Sequence, residues 1–126
     1  MGFELSARSE RNLVGVDDRL VRVVRRALEL STVDFVVIEG LRTVERQREL
    51  VKARKSRTMR SKHLTGKAVD VAALNGHVVS WDLPLYEKIA SAFKEAAAEV
   101  GVVVEWGGEK WAPGFIDGPH FQLADE

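Results

Sequence analysis

The sequence predicts a single small α+β domain, an antiparallel sheet of about four strands with flanking helices. Three observations predict it. Short β-rich runs end at glycines or turn signals. Asn75-Gly76 lies between two apolar runs and is a two-residue hairpin signal. The helical periodicities stand in separate blocks, without the regular strand–helix alternation of a parallel sheet. The length of 126 residues is that of one domain, taken as residues 1–126. At 45% hydrophobic and 30% charged, the chain can bury a core.

Each element has its own signal. Asp17 or Asp18 can cap a first helix in which Leu20, Val24, Ala27 and Leu28 recur at helical spacing. Residues 35–38 are β-rich and are ended by Gly40, which predicts a strand. Thr43 caps a second helix carrying Val44, Leu50 and Val51, and residues 54–66 read as a basic, polar loop. Residues 68–72 form a second strand, and Val78-Val79 return after the hairpin turn, with His77 on its surface. Asp82 caps a third helix with Pro84 in its first turn. Tyr86, Ile89, Ala90, Phe93, Ala97 and Val100 line one face of it, and Gly101 ends it. Residues 102–106 and 120–123 are the remaining strands, separated by a loop rich in glycine and tryptophan. Trp81, Trp106 and Trp111 read as core or cleft wall.

Charge and composition exclude several classes. Nineteen basic and nineteen acidic residues cancel, which argues against a global nucleic-acid or anionic-membrane binder. Residues 42–67 nevertheless hold ten Lys or Arg and only two acids, a balance of +8. That stretch reads either as a solvated surface or as a docking surface for an anionic polymer. Without cysteine there is no disulfide, thiolate metal site or cysteine nucleophile. No apolar run is long enough to span a membrane, and the charged N-terminus lacks a signal-peptide core. A protein starting in the cytoplasm is expected.

The chemistry gathers around two of the three histidines. His63 lies in S-K-H-L-T-G-K-A-V-D and His120 in D-G-P-H-F-Q. Each taken singly is equally well a structural histidine. Together they suggest more. A chain that loops at Gly66 and returns as a strand from Ala68 brings His63 beside Asp70, and His120 supplies a third ligand from a distant strand. Two imidazoles and one carboxylate leave a fourth zinc position for water, the layout of a hydrolytic site. Asp117, three residues before His120, is the candidate base for that water; its other reading is a turn-capping Asp before Gly118. Arg42 suits two parallel hydrogen bonds to oxygens, or else an ordinary surface ion pair. Glu105 is placed to contact His120 or another ligand.

The patterns S-x-H-x-x-G-x-A-x-D and D-x-P-H-F resemble those of the M15 zinc peptidases, which act on peptidoglycan. The phage L-alanyl-D-glutamate endopeptidase subgroup is the nearer likeness. It shares S-x-R-N-L-x-G-V at residues 9–16, E-G-L-R-T at 39–43 followed by Gln47, and W-G-G at 106–108. The resemblance implies one Zn2+ held by His63, Asp70 and His120. It implies Asp117 as catalytic acid or base, Arg42 on the substrate carbonyl or oxyanion, and Ser61 and Gln47 near the substrate. The implied function is cleavage of the L-Ala–D-Glu bond of the stem peptide, as a phage or prophage endolysin in host lysis. Peptidoglycan is then the partner, with no nucleic acid and no stable membrane association. A monomer is expected from the size of the domain, and no separate wall-binding domain is expected. The protein would wait in the cytoplasm until a holin-type protein gives access to the wall.

Two loops depart from the family pattern. Residues 53–58, A-R-K-S-R-T, lack glycine, and residues 109–116 are longer than usual. Three rival readings remain. One is a D,D-carboxypeptidase or dipeptidase of the same family, and another is a non-catalytic wall-binding module. The third is a non-haem iron oxygenase, whose ligand spacing the seven-residue gap from His63 to Asp70 does not match.

Overall fold

The computed structural model describes residues 2–56, 59, 61–109 and 117–125. Its elements run α1 (Ala7–Asn12), α2 (Asp18–Leu30), β1 (Asp34–Glu39), α3 (Val44–Lys52), β2 (Ala68–Asn75), β3 (Val78–Ser80), α4 (Leu83–Val100), β4 (Val104–Trp106) and β5 (His120–Leu123). A 3₁₀ turn, Lys62–Thr65, precedes β2. All strand pairs are antiparallel. The path β1-β2-β5-β4 forms the four-stranded frame, and β3 adds a fifth strand as the hairpin partner of β2. The α+β architecture is the one the sequence predicts.

The sheet has two unlike faces because strand side chains alternate. Val69, Val71 and Ala73 of β2 join the core, as do Phe121 and Leu123 of β5. Asp70, His120 and Gln122 are therefore turned to the opposite face. The core side is closed by α2 and α4, which pack on one another. Phe93 of α4 stacks on Phe121 with ring centroids 4.0 Å apart and lies 5.6 Å from Phe35. Tyr86, fully buried, accepts from the Ala73 N–H at 3.0 Å and donates to the Ser80 carbonyl at 2.7 Å. It thereby ties the first turns of α4 to the β2–β3 hairpin.

Several elements differ from expectation. The short helix α1 was not anticipated; Ser6 caps it by accepting from the Ser9 N–H at 3.1 Å. Its buried Ser9 accepts from the Val37 N–H at 2.9 Å, and Asn12 donates to the Val37 carbonyl at 2.8 Å. The motif at residues 9–16 thus completes the outer edge of β1. The expected apolar stripe of α3 is largely unburied: Val44 is exposed, and the buried residue is Gln47. The hairpin loop is Gly76-His77, one residue on, since Asn75 pairs with Val78. Gly76 takes the positive φ, 66°, that the loop requires. β4 begins at Val104 because the Val102 N–H is already spent on the Ala97 carbonyl at the end of α4. Trp81 is not in the core; it is 61% exposed and stacks flat on Tyr86 at 6.2 Å. Trp106 packs against the core edge. Trp111, most of the 109–116 loop, and Arg57 and Thr58 of the 53–58 loop lie outside the described residues.

The entry to α2 also braces the site. Asp17 caps α2 through the Arg19 N–H at 2.9 Å, and its own N–H donates to the Gly66 carbonyl at 2.8 Å. Hydrogen bonds from the Arg19 side chain outweigh burial and hold the Asp17 carboxyl below its usual range. Its contribution to stability is then complete above about pH 3.8 and is lost as pH falls through the lower folded value. Asp17→Ala should cost about 1 kcal/mol in denaturant unfolding at pH 7, with the gap narrowing at acid pH.

Candidate metal centre

His63 reaches the site from the 3₁₀ turn. Ser61 caps that turn by accepting from the His63 N–H at 3.2 Å. Gly66 ends it at φ 72°, where a Cβ would meet the Gly15 carbonyl oxygen at 2.5 Å. The chain then enters β2, and Asp70 follows two residues into the strand. β5 runs antiparallel to β2 with Asp70 directly opposite His120. Two groups close in sequence and a third from a distant strand thus meet on one face of the sheet.

The donor atoms converge. His63 Nε2 lies 3.3 Å from Asp70 Oδ1, and His120 Nδ1 lies 3.1 Å from the same oxygen. All three ligand atoms lie within 4.8 Å of one another. Metal–ligand bonds of about 2.0–2.1 Å place neighbouring tetrahedral donors about 3.3 Å apart, so this cluster has the size of a metal-binding triad. His63 is buried, its Nδ1 donates to the Gly40 carbonyl at 2.8 Å, and its Nε2 has no hydrogen-bond partner. A buried imidazole lone pair left without a donor is the residue chemistry that a cation satisfies. Among the described residues it is the one such cluster of His, Cys, Asp or Glu.

Charge balance agrees with that reading. Burial alone would raise the Asp70 carboxyl, but the His120 hydrogen bond and the nearness of both imidazoles hold it far below the usual carboxylate range. Burial would lower His120, yet the Asp70 hydrogen bond and charge raise it above 6.5. Asp117 is pushed up, first by burial and then by the Asp70 charge, against the opposing pull of His120, His63 and Arg42. Its main chain is clamped: the Asp117 N–H donates to the Gly107 carbonyl at 2.7 Å and its carbonyl accepts from the His120 N–H at 3.1 Å. A Cβ on Gly107 would collide with the Asp117 carbonyl. The glycine of W-G-G is required by this close approach.

Arg42 borders the triad, with Nη2 3.8 Å from Asp70 Oδ2. Glu39 receives its Nε, and Gln47 Oε1 receives Nη1 at 2.7 Å. Ser61 Oγ is a further acceptor at 3.4 Å. Gln47 stands behind Arg42; it is fully buried and donates onward to Ser56 Oγ at 2.8 Å. Glu105 does not touch His120. It accepts from Gln122 Nε2 at 2.9 Å, and Gln122 Oε1 faces His120 Nε2 at 2.8 Å. Sequence reasoning missed Gln122 and Glu39. The signal for Gln122 was its place two residues after His120 in a strand, on the same face.

The model of the phage L-alanyl-D-glutamate peptidase family matches residues 1–124. The chain belongs to this family. It is 35% identical, over 136 aligned positions, to the L-alanyl-D-glutamate peptidase of Escherichia phage T5, covering 98% of this chain and 99% of that protein. It is 34% identical over 120 positions to the protein of the same name from Listeria phage A118, of which it spans 41%. Among solved structures, the Serratia marcescens L-Ala D-Glu endopeptidase ChiX is 54% identical and superposes with a TM-score of 0.90. That match covers 98% of this chain and 91% of the other. The fold of this family member and the clustering of its three donors thus rest on independent observations.

Metal must displace the proton that Asp70 favours on His120. In the metal-free fold that group stabilises fully below pH 6.5 and loses its contribution as pH rises through its higher folded value. Metal uptake near pH 7 should therefore release a proton, and affinity should fall on acidification. Calorimetry in buffers of different ionisation enthalpy reads both. His63→Ala should abolish stoichiometric metal by elemental analysis.

Proposed function

We propose that the protein is a zinc-dependent peptidase that hydrolyses the L-Ala–D-Glu bond of the peptidoglycan stem peptide. The observation that carries this reading is the convergence of His63, Asp70 and His120 beside Asp117 and Arg42 in a chain of the L-alanyl-D-glutamate peptidase family. His63 Nε2, an Asp70 oxygen and His120 Nδ1 would hold the ion. Zinc, when bound, supplies Lewis-acid polarisation and a water acidified to a pKa of about 7.

The other steps belong to the chain. Asp117 takes the proton of the attacking water as its oxygen adds to the L-Ala carbonyl carbon. The same carboxyl returns the proton to the D-Glu nitrogen as the C–N bond breaks. Burial favours this dual role, because it raises the carboxyl's proton affinity towards that of the groups it serves. Arg42 donates to the carbonyl oxygen as negative charge develops there. Glu39 and Gln47 hold its guanidinium in place before substrate arrives. Ser61 stands on the same rim and supplies a hydroxyl to the substrate side.

We further read the chain as a single catalytic domain acting in host lysis. The near full-length match to the phage T5 protein supports it. No helix among the described residues is long and apolar enough to cross a membrane. In this reading a monomer accumulates in the cytoplasm and reaches the wall through a separate holin-type protein.

Mass spectrometry of purified peptidoglycan digested with the zinc-loaded protein tests the reaction. Stem peptides beginning at D-Glu, with L-Ala left on the glycan, are expected. Release of terminal D-Ala alone would instead place the chain with the carboxypeptidases, and no product at all would leave a wall-binding module. Asp117→Asn should retain zinc and fold while activity drops by about 100-fold or more. The excess of basic residues in the stretch 42–67 fits an anionic wall polymer. Lysis rate should then fall as salt rises beyond about 0.15 M, where the Debye length is about 8 Å.

A further inference from the structure

His120 is held differently from His63. The His63 ring is fixed by a main-chain carbonyl, that of Gly40. The His120 ring is fixed by a chain of two side chains that ends at an exposed carboxylate. Glu105 of β4 pairs with Gln122 of β5 across the strands. Glu105 Oε1 receives Gln122 Nε2 at 2.9 Å, and Gln122 Oε1 lies 2.8 Å from His120 Nε2.

The proton positions along this chain follow from donor chemistry alone. An ionised carboxylate only accepts, so the Gln122 NH2 must face Glu105. The Gln122 carbonyl oxygen must then face His120, and a carbonyl also only accepts. His120 Nε2 must therefore carry the hydrogen. Nδ1 faces the Asp70 carboxylate and carries a second hydrogen in the metal-free ring; when metal replaces that hydrogen, the one remaining N–H stays on Nε2 and the Nδ1 lone pair is freed. Nδ1 is the nitrogen turned towards Asp70 and the donor cluster. The two histidines thus present opposite nitrogens, His63 through Nε2 and His120 through Nδ1, each selected by what its other nitrogen meets.

We propose that Gln122, oriented by Glu105, is the positioning residue that selects the His120 tautomer and keeps Nδ1 available as a metal donor. This rests on the zinc reading above. Neither residue contributes to the apolar core, so both can be changed without opening it. The pair is a device for metal retention, distinct from the groups that act on substrate.

Two readouts on the zinc-loaded protein test it: the zinc dissociation constant by chelator competition, and 15N spectra of the histidine rings. In the parent, His120 should show its hydrogen on Nε2 and His63 on Nδ1. Gln122→Leu, which removes the acceptor, should weaken zinc binding about 10- to 100-fold. The exchanged pair Glu105→Gln/Gln122→Glu reverses the bond between these two positions but keeps an acceptor facing His120 Nε2, and should restore affinity to within about threefold of the parent. A merely structural role would lower the melting temperature of Gln122→Leu and leave the zinc constant in place. Zinc binding by Gln122→Leu within about threefold of the parent overturns the relay, as does a His120 hydrogen on Nδ1. A parent that takes up no zinc overturns the metal reading and the relay with it, whereas parent uptake with an unaffected Gln122→Leu overturns the relay alone.

Discussion

The antiparallel pairing of β2 with β5 sets Asp70 directly opposite His120, and the rest of the site depends on that register. Side chains so opposed have Cβ atoms about 4.5–5.5 Å apart, which suits two donors sharing one cation. A slip of one residue would send His120 into the core and Phe121 into the site. The register is held from the other face. Phe121 is stacked on Phe93, and Leu123 is buried beside it. Apolar burial on one side of the sheet therefore positions the polar chemistry on the other.

Loop placement rests on close main-chain approaches. Gly107 lets the Asp117 backbone come within hydrogen-bonding distance, and Gly66 brings the end of the 3₁₀ turn against Gly15 and Asp17. Gly40 lies against the Asn12 carbonyl and lends its own carbonyl to His63. A Cβ at any of these positions would push apart segments that must touch. The motifs around the site therefore mix two kinds of residue, those that carry a functional group and those whose lack of a side chain lets the carriers meet.

The electrostatics are those of a site awaiting positive charge. Asp70 and Asp117 share a partly buried space, and their repulsion contributes to raising Asp117. Arg42 answers part of that charge while pinned by Glu39 and Gln47. His63 Nε2 stays without a hydrogen-bond partner. Buried polar groups in this condition are costly in an inert protein, so their accumulation on one face of a sheet speaks for function.

Much of this was legible in the sequence. Capping residues, glycines and apolar periodicity located α2, α3, α4 and the strands, because these are local preferences. The spacing S-x-H-x-x-G-x-A-x-D with D-G-P-H-F singled out the three donors and Asp117, because each motif carries its own turn chemistry. The short α1 escaped because six residues offer too little periodicity, and its two key polar residues act on a distant strand edge. The Glu105–Gln122 pair, the role of Gln47 behind Arg42 and the choice of nitrogen on each histidine were decided only in three dimensions. They depend on cross-strand register and burial, which arise between segments far apart in the chain and leave no periodic trace along it.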